Sequence, residues 1–186
     1  MGADHQVRGF LGIRHEVSEN PTFQARGRLA FIASCQNRSM DIHDKVSQAA
    51  EGLICTAVDL YAPNSWSFAF EGRLGLNIQC PWRIVNEHGI ALGDEDNAQL
   101  FGRDTPVVGA TVAMELLHGK PITRLVITDK TGDLVVEFES GVRLEVFNNS
   151  SGYEGWSLGT PSGLEVIGMG GGGTANSDRT AISKLS

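Results

Sequence analysis

Apolar and polar residues alternate in two stretches of the chain that match each other position by position. The first stretch starts at Ile54 and the second at Ile122, an offset of 122 − 54 = 68 residues. Alternation with a period of two predicts strands that bury one face. The matched apolar pairs are Val58 and Val126, Trp66 and Leu134, Phe70 and Phe138, Leu76 and Leu144, and Ile78 and Val146.

Each stretch folds back on itself at a short loop, and the apolar register sets the loop length. In the second stretch, a three-residue loop places Phe138 opposite Val142, and Gly141 takes the loop position that favours a left-handed residue. In the first stretch, the same loop places Phe70 opposite Leu74, because a two-residue loop would break the apolar face. The pattern therefore predicts two β-hairpins with the same register.

A helix is predicted before each stretch, where the apolar period changes from 2 to about 3.6. The first helix ends at Gly52. The second has Thr105 as its N-cap and Pro106 at its first helical position, and it ends at Gly119. A tryptophan and a short apolar run ending in glycine follow each hairpin. The chain therefore contains two similar units in tandem.

These elements predict a β-rich α+β fold in which two similar helix-plus-antiparallel-meander units share one core. The units span about residues 41–100 and 105–168 of a single domain at 39–168. Residues 1–38 show weak periodicity and are expected to form a poorly defined N-terminal extension. The Gly-rich segment 169–186 has no core pattern, which predicts a flexible tail. The predicted core comprises Trp66, Phe68, Phe70, Leu76, Ile78, Leu134, Val136, Phe138, Leu144 and Val146.

The composition of the chain limits which partners and which cellular location are expected for the protein. The 186 residues carry a formal net charge of −7, which argues against nucleic acid as a partner and suits a basic protein partner. No apolar run approaches the roughly 18 residues of a membrane span, and no signal peptide is expected. The cysteines at 35, 55 and 80 are odd in number and form no CxxC pair, which predicts reduced thiols and a cytoplasmic location.

The most individual stretch, residues 76–96, reads LNIQCPWRIVNEHGIALGDED. Its alternation predicts that Cys80 points inward as a packed thiol and that Pro81 marks a strand end. Arg83 can stack on an indole or pair with a carboxylate such as Glu87 or Asp94, and a structural role is favoured over a binding role for the Trp82–Arg83 pair. The candidate binding face comprises Trp82, Arg83, Glu87, His88, Asp94, Glu95 and Asp96.

No catalytic motif, metal-ligand spacing or cofactor-binding pattern is found, so no catalytic residue, metal or cofactor is assigned. Two classes of function stay open. The first is a non-enzymatic protein-binding module that meets a basic partner through its acidic face. The alternative is a metal-dependent hydrolase, which requires Glu87, His88, Asp94 and Asp96 to converge in one pocket. A third, weaker reading is a structural homo-oligomer formed through edge strands.

The stretch resembles a segment shared by small, uncharacterised bacterial proteins of the domain-of-unknown-function type. In those proteins a QC-x-WRI run follows a strand and precedes I-x-x-G-x-x-D. The resemblance covers roughly residues 53–168, and it implies no established activity. Some small acidic proteins of similar make-up are immunity proteins, which neutralise a toxin, and that analogy favours the binding-module hypothesis. The matching positions are Gln79, Cys80, Trp82, Arg83, Ile84, Ile90, Gly93 and Asp96.

Overall fold

A computed structural model describes residues 41–178 as two short helices and eleven strands in two antiparallel sheets. The predicted N-terminal extension lies outside the described residues. The elements of the first unit are α1 (Ile42–Ala50), β1 (Cys55–Ala62), β2 (Ser65–Phe70), β3 (Gly75–Ile78), β4 (Trp82–Asn86) and β5 (Gly89–Gly93). Those that follow are α2 (Gly109–Leu117), β6 (Ile122–Ile127), β7 (Leu134–Phe138), β8 (Arg143–Val146), β9 (Trp156–Gly159), β10 (Leu164–Gly168) and β11 (Thr174–Asp178). No helix among these described elements is long and apolar enough to cross a membrane.

The predicted α+β fold and both hairpin registers are confirmed. Trp66 pairs with Ile78 across β2 and β3, and Leu134 pairs with Val146 across β7 and β8. The Phe70 N–H donates to the Leu74 carbonyl at 2.9 Å, which closes the three-residue loop that the register requires. Every predicted core residue is buried.

Each unit has a second hairpin, β4–β5 in the first unit and β9–β10 in the second. Each of these hairpins joins the sheet that contains the three-stranded meander of the other unit. The first sheet has the order β1-β2-β3-β9-β10-β11 and the second has β5-β4-β8-β7-β6. Each sheet therefore combines the meander of one unit with the hairpin of the other. The buried faces of both sheets contribute to one core, in which the Phe70 and Phe138 rings stack at 6.3 Å between centroids. Each helix packs on the first strand of the other unit, α1 on β6 and α2 on β1.

The predicted start of the second helix is wrong. α2 begins at Gly109 instead of near Pro106, and the Gly109 N–H donates to the Asn97 side-chain oxygen at 2.9 Å. The Val107 N–H is already bonded to the Gln99 carbonyl at 2.9 Å, so this part of the chain forms a loop that pairs with itself. A distant asparagine thus caps the helix in place of the local Thr105.

The prediction of a flexible tail does not hold for residues 169–178. The glycine run makes a turn, and β11 then pairs antiparallel with β10. A Cβ on Gly172 would lie 1.7 Å from the Lys130 carbonyl oxygen, so only glycine allows the main chain to approach that closely. Residues 179–186 lie outside the described residues.

Candidate functional site

The predicted binding face spreads along the β4–β5 hairpin, and its charged residues separate into two groups. Arg83 pairs with Gly93 at one end of the hairpin, and Asn86 pairs with Gly89 at the other. Glu87 and His88 form the exposed connecting turn at the second end. The acidic residues follow β5 at the first end, so the structure does not bring Glu87 and His88 together with them.

Trp82 lies in the core instead of on the binding face. Its side chain is 1% exposed, and its ring makes edge contacts with Trp66 at 4.9 Å and Phe68 at 5.4 Å between centroids. The indole N–H of Trp82 is buried and has no hydrogen-bond partner among the described residues. Its side chain is therefore part of the core, and only its backbone reaches the acidic residues, through a hydrogen bond to Asp94.

Arg83 pairs with a residue that the sequence did not indicate. Its Nε donates to Glu145 Oε2 at 2.7 Å, and its guanidinium lies 4.9 Å from the centroid of the Phe147 ring. Glu145 stands opposite Arg83 because β4 pairs with β8 of the other unit. The expected pairing with Glu87 or Asp94 and the expected stacking on an indole are therefore wrong. Arg143 Nη2 also lies 3.3 Å from Glu145 Oε1, so the two arginines share one carboxylate.

Asp94, Glu95 and Asp96 form one 3₁₀ turn directly after β5, which we call the acidic turn. Asp96 accepts a hydrogen bond from the Gly93 N–H at 2.8 Å, which fixes the start of the turn. Burial raises the pKa of Asp94, and a hydrogen bond from the Trp82 backbone partly offsets that rise. Glu95 is exposed. Two of the three carboxylates are thus held in place by backbone donors, while the third projects from the surface.

A groove of about 870 Å³ separates the acidic turn from the tip of the β1–β2 hairpin. Apolar side chains flank the three carboxylates there, with Tyr61 73% exposed and Phe101 65% exposed. This apolar part was not predicted. The signal in the sequence was that Tyr61 and Phe101 are aromatic residues outside the alternating pattern of buried positions. The groove is lined by Leu60, Tyr61, Ala62, Pro63, Asn64, Trp66, Asp94, Glu95, Asp96, Asn97, Gln99 and Phe101.

A smaller cavity of about 340 Å³ lies on the other side of the acidic turn, next to β5. Its wall includes Ile90, which is 65% exposed, together with Arg83 and Phe147. The acidic turn therefore stands between two concave surfaces. Both surfaces present apolar groups beside the same three carboxylates.

The chemistry available to the described residues is limited. Burial raises the pKa of Cys55 to about 11 and that of Cys80 to about 12, so neither thiol ionises readily near neutrality. Cys80 is half-buried, in line with the packed role expected for it. No cluster of three His, Cys, Asp or Glu side chains with a geometry suited to a metal ion is found within residues 41–178. The acidic turn can attract and orient cations through its charge.

Comparison with known proteins identifies a family. No curated protein and no solved structure matches the chain. A family model described as "Family of unknown function (DUF6188)" matches residues 64–177, which include the acidic turn and the β4–β5 hairpin. The part of the groove wall formed by residues 60–63, with the ring of Tyr61, precedes the matched segment. The matched segment is 114 of the 186 residues (177 − 64 + 1), more than half of the chain. The chain therefore belongs to the DUF6188 family of unknown function.

Proposed function

We propose that the protein is a non-enzymatic binding module that captures a basic segment of a partner protein at the acidic turn. The observation that supports this proposal is the position of three adjacent carboxylates between two apolar-walled concavities. The proposal includes an immunity-like role, in which the basic partner is a toxin. We place this binding in the cytoplasm, where the thiols of Cys55 and Cys80 stay reduced.

The lining of the groove suits a lysine or arginine side chain. The methylene groups of such a side chain would cover the exposed rings of Tyr61 and Phe101, and its charge would meet Glu95 and its neighbours. The net charge of −7 would also accelerate the approach of a basic partner. Affinity and association rate should therefore both fall as the salt concentration rises.

A phage-displayed library of random 12-residue peptides tests the proposal with the full chain as bait. Selection should enrich peptides rich in lysine and arginine. A variant that combines Asp94→Asn, Glu95→Gln and Asp96→Asn should bind the selected peptides at least about tenfold more weakly, because three charges are lost while the acceptor oxygens remain. Glu139→Gln removes an exposed carboxylate in the loop between β7 and β8, which lines neither cavity, and should leave the affinity unchanged.

Two results would contradict the proposal: no enrichment of basic peptides over the unselected library, or equal affinities for the wild type and the triple variant. The stability of the single variant Asp94→Asn gives an independent check on folding. Because the pKa of Asp94 is raised in the folded protein, its ionisation lowers stability as the pH rises above its ordinary pKa. Asp94→Asn alone should therefore be at least as stable as the wild type at pH 7 in urea unfolding.

A further inference from the structure

Within residues 41–178, the internal repeat relates an occupied strand position in the first sheet to one in the second sheet that no described strand fills. The offset of 68 residues relates β1, β2 and β3 to β6, β7 and β8, and the exchanged hairpins relate β4 and β5 to β9 and β10. β10 is covered on its outer edge by β11, which gives the first sheet six strands. Among the described strands β5 has no such neighbour, and the second sheet there has five strands.

The outer edge of β5 is open within residues 41–178. No backbone hydrogen bond joins Gly89–Gly93 to a described segment other than β4. The Gly93 N–H is occupied by the Asp96 carboxylate, which marks where the open edge ends and the acidic turn begins. Ile90 is 65% exposed at this edge and lines the smaller cavity. Unpaired edges of this kind can accept an added strand.

In the related half of the molecule, a helix and an added edge strand lie side by side. α1 lies beside β11, with His43 Nε2 at 3.4 Å from Thr174 Oγ1, and β11 still pairs with β10 along its length. α2 occupies the corresponding place in the other half, where it packs mainly on β1 and also touches β5. The loop between β5 and α2 pairs with itself, from Ala98 to Val107, instead of returning along β5.

A second copy of this chain is a poor occupant for the open edge. Antiparallel pairing of β5 with the β5 of another copy would bring the acidic turn of one copy toward Glu87 of the other. Like charges placed across strands are destabilising, and each copy carries a net charge of −7. A strand that carries lysine or arginine where it passes the acidic turn has the complementary charge.

We propose that the basic segment of the partner protein binds as an added β-strand along β5, in the position that β11 occupies beside β10. This inference rests on the proposed function and specifies its binding mode. Backbone hydrogen bonds to β5 supply sequence-independent affinity. The apolar side chains of the added strand contact Ile90, and its basic residues meet the acidic turn.

N-methylation of the selected library peptides provides the test. Two derivatives of each peptide carry N-methyl groups on its odd or on its even residues, which blocks the N–H donors of one strand edge at a time. Strand addition predicts that one derivative loses at least about tenfold in affinity while the other keeps most of it. Equal affinities for the two derivatives would overturn the proposed mode.

Protein variants locate the binding edge. Ile90→Lys should weaken binding of the unmethylated peptides by about tenfold or more, since it adds a like charge and removes the apolar contact. Tyr153→Lys adds the same charge at a residue that is 83% exposed elsewhere, and it should have little effect. If Ile90→Lys binds normally while the triple variant at the acidic turn does not, the proposed function stands and strand addition fails. Concentration-dependent dimerisation of the wild type that Ile90→Lys abolishes would make a second copy the occupant and overturn the proposal.

Discussion

The two hairpin tips of the protein are related by the internal repeat, yet one is tied down and the other stands open. At the β6–β7 tip, Asn148 Nδ2 donates to the carbonyls of Thr131 at 3.2 Å and Met169 at 2.7 Å. The Trp156 indole N–H donates to the Gly132 carbonyl at 2.8 Å. We call this the closed half, because side chains and the glycine-rich turn fill the space under the tip.

The equivalent space at the β1–β2 tip is the large groove, and we call this the open half. Cys80 stands where the closed half has Asn148, and the indole N–H of Trp82 lacks a partner among the described residues. One scaffold thus carries a packed, stabilising end and an accessible end with exposed rings and carboxylates. The two ends therefore differ in how the hairpin tip is held, by hydrogen bonds at the closed half and across a groove at the open half.

The largest expected difference between the halves concerns the glycines that end their second hairpins, Gly168 and Gly93. A Cβ on Gly168 would lie 2.3 Å from Trp156 Nε1, while a Cβ on Gly93 would meet nothing closer than 3.7 Å, at Asp96 Oδ2. Gly168→Ala should therefore lower the free energy of unfolding by about 2–3 kcal/mol through overpacking. Gly93→Ala should change it by less than about 0.5 kcal/mol. Urea unfolding followed by tryptophan fluorescence measures both, and similar losses would refute the distinction.

Asn148 should contribute next most to the closed half. Asn148→Ala removes the donor to two carbonyls and should cost about 2 kcal/mol of unfolding free energy. The loss should also be local, so amide exchange should accelerate at Gly171 and Gly172, whose N–H groups bond within the glycine-rich turn and to Ser150. Cys80→Ala, at the equivalent position of the open half, removes a half-buried thiol and should cost about 1 kcal/mol or less. Unchanged exchange in the turn of Asn148→Ala would show that the amide does not hold it.

The two tryptophans allow a closer test, since both are almost fully buried but only Trp156 has a partner for its N–H. Replacement by phenylalanine removes a similar volume at each site. Trp156→Phe also leaves the Gly132 carbonyl without its donor, whereas Trp82→Phe removes an unpaired N–H. Trp156→Phe should therefore be more destabilising than Trp82→Phe by about 1 kcal/mol in chemical unfolding. The reverse order would mean that the N–H of Trp82 has an interaction partner.

The sequence predicted what short-range alternation controls and missed what depends on pairing between the units. Period-two alternation identifies which face of a strand is buried, and it correctly gave both meanders and their core. It does not identify the neighbouring strand, so the exchange that pairs β4 with β8 was missed. For the same reason, Glu145 was not anticipated as the partner of Arg83.

The site was predicted only in part for a related reason. The acidic turn follows directly from three adjacent acidic residues, but its groove is completed by Tyr61 and Phe101, which lie in separate segments. The glycine-rich segment was expected to be flexible because it has no core pattern. Its glycines instead permit a backbone contact with Lys130. A close approach of main chain to main chain leaves little trace in the pattern of apolar residues.

The smallest expected effect concerns the loops between β2 and β3 and between β7 and β8, where the halves are most alike. Each loop has two consecutive residues with positive φ, Gly72 (+64°) and Arg73 (+70°) in one, and Ser140 (+64°) and Gly141 (+72°) in the other. Each loop therefore has one residue with a side chain in a conformation that favours glycine. Arg73→Gly and Ser140→Gly should each raise the free energy of unfolding by about 0.5–1 kcal/mol, measured by thermal unfolding.

Arg73→Ala separates this backbone effect from the loss of charge, because alanine removes the guanidinium but keeps the Cβ. It should leave the stability close to that of the wild type. If Arg73→Ala gains as much as Arg73→Gly, the gain comes from relief of charge or side-chain entropy and the backbone argument fails. If both glycine variants gain equally and the alanine variant does not, the two loops are energetically equivalent. The difference between the halves would then lie at the opposite ends of the meanders, where one hairpin tip is closed and the other borders the open groove.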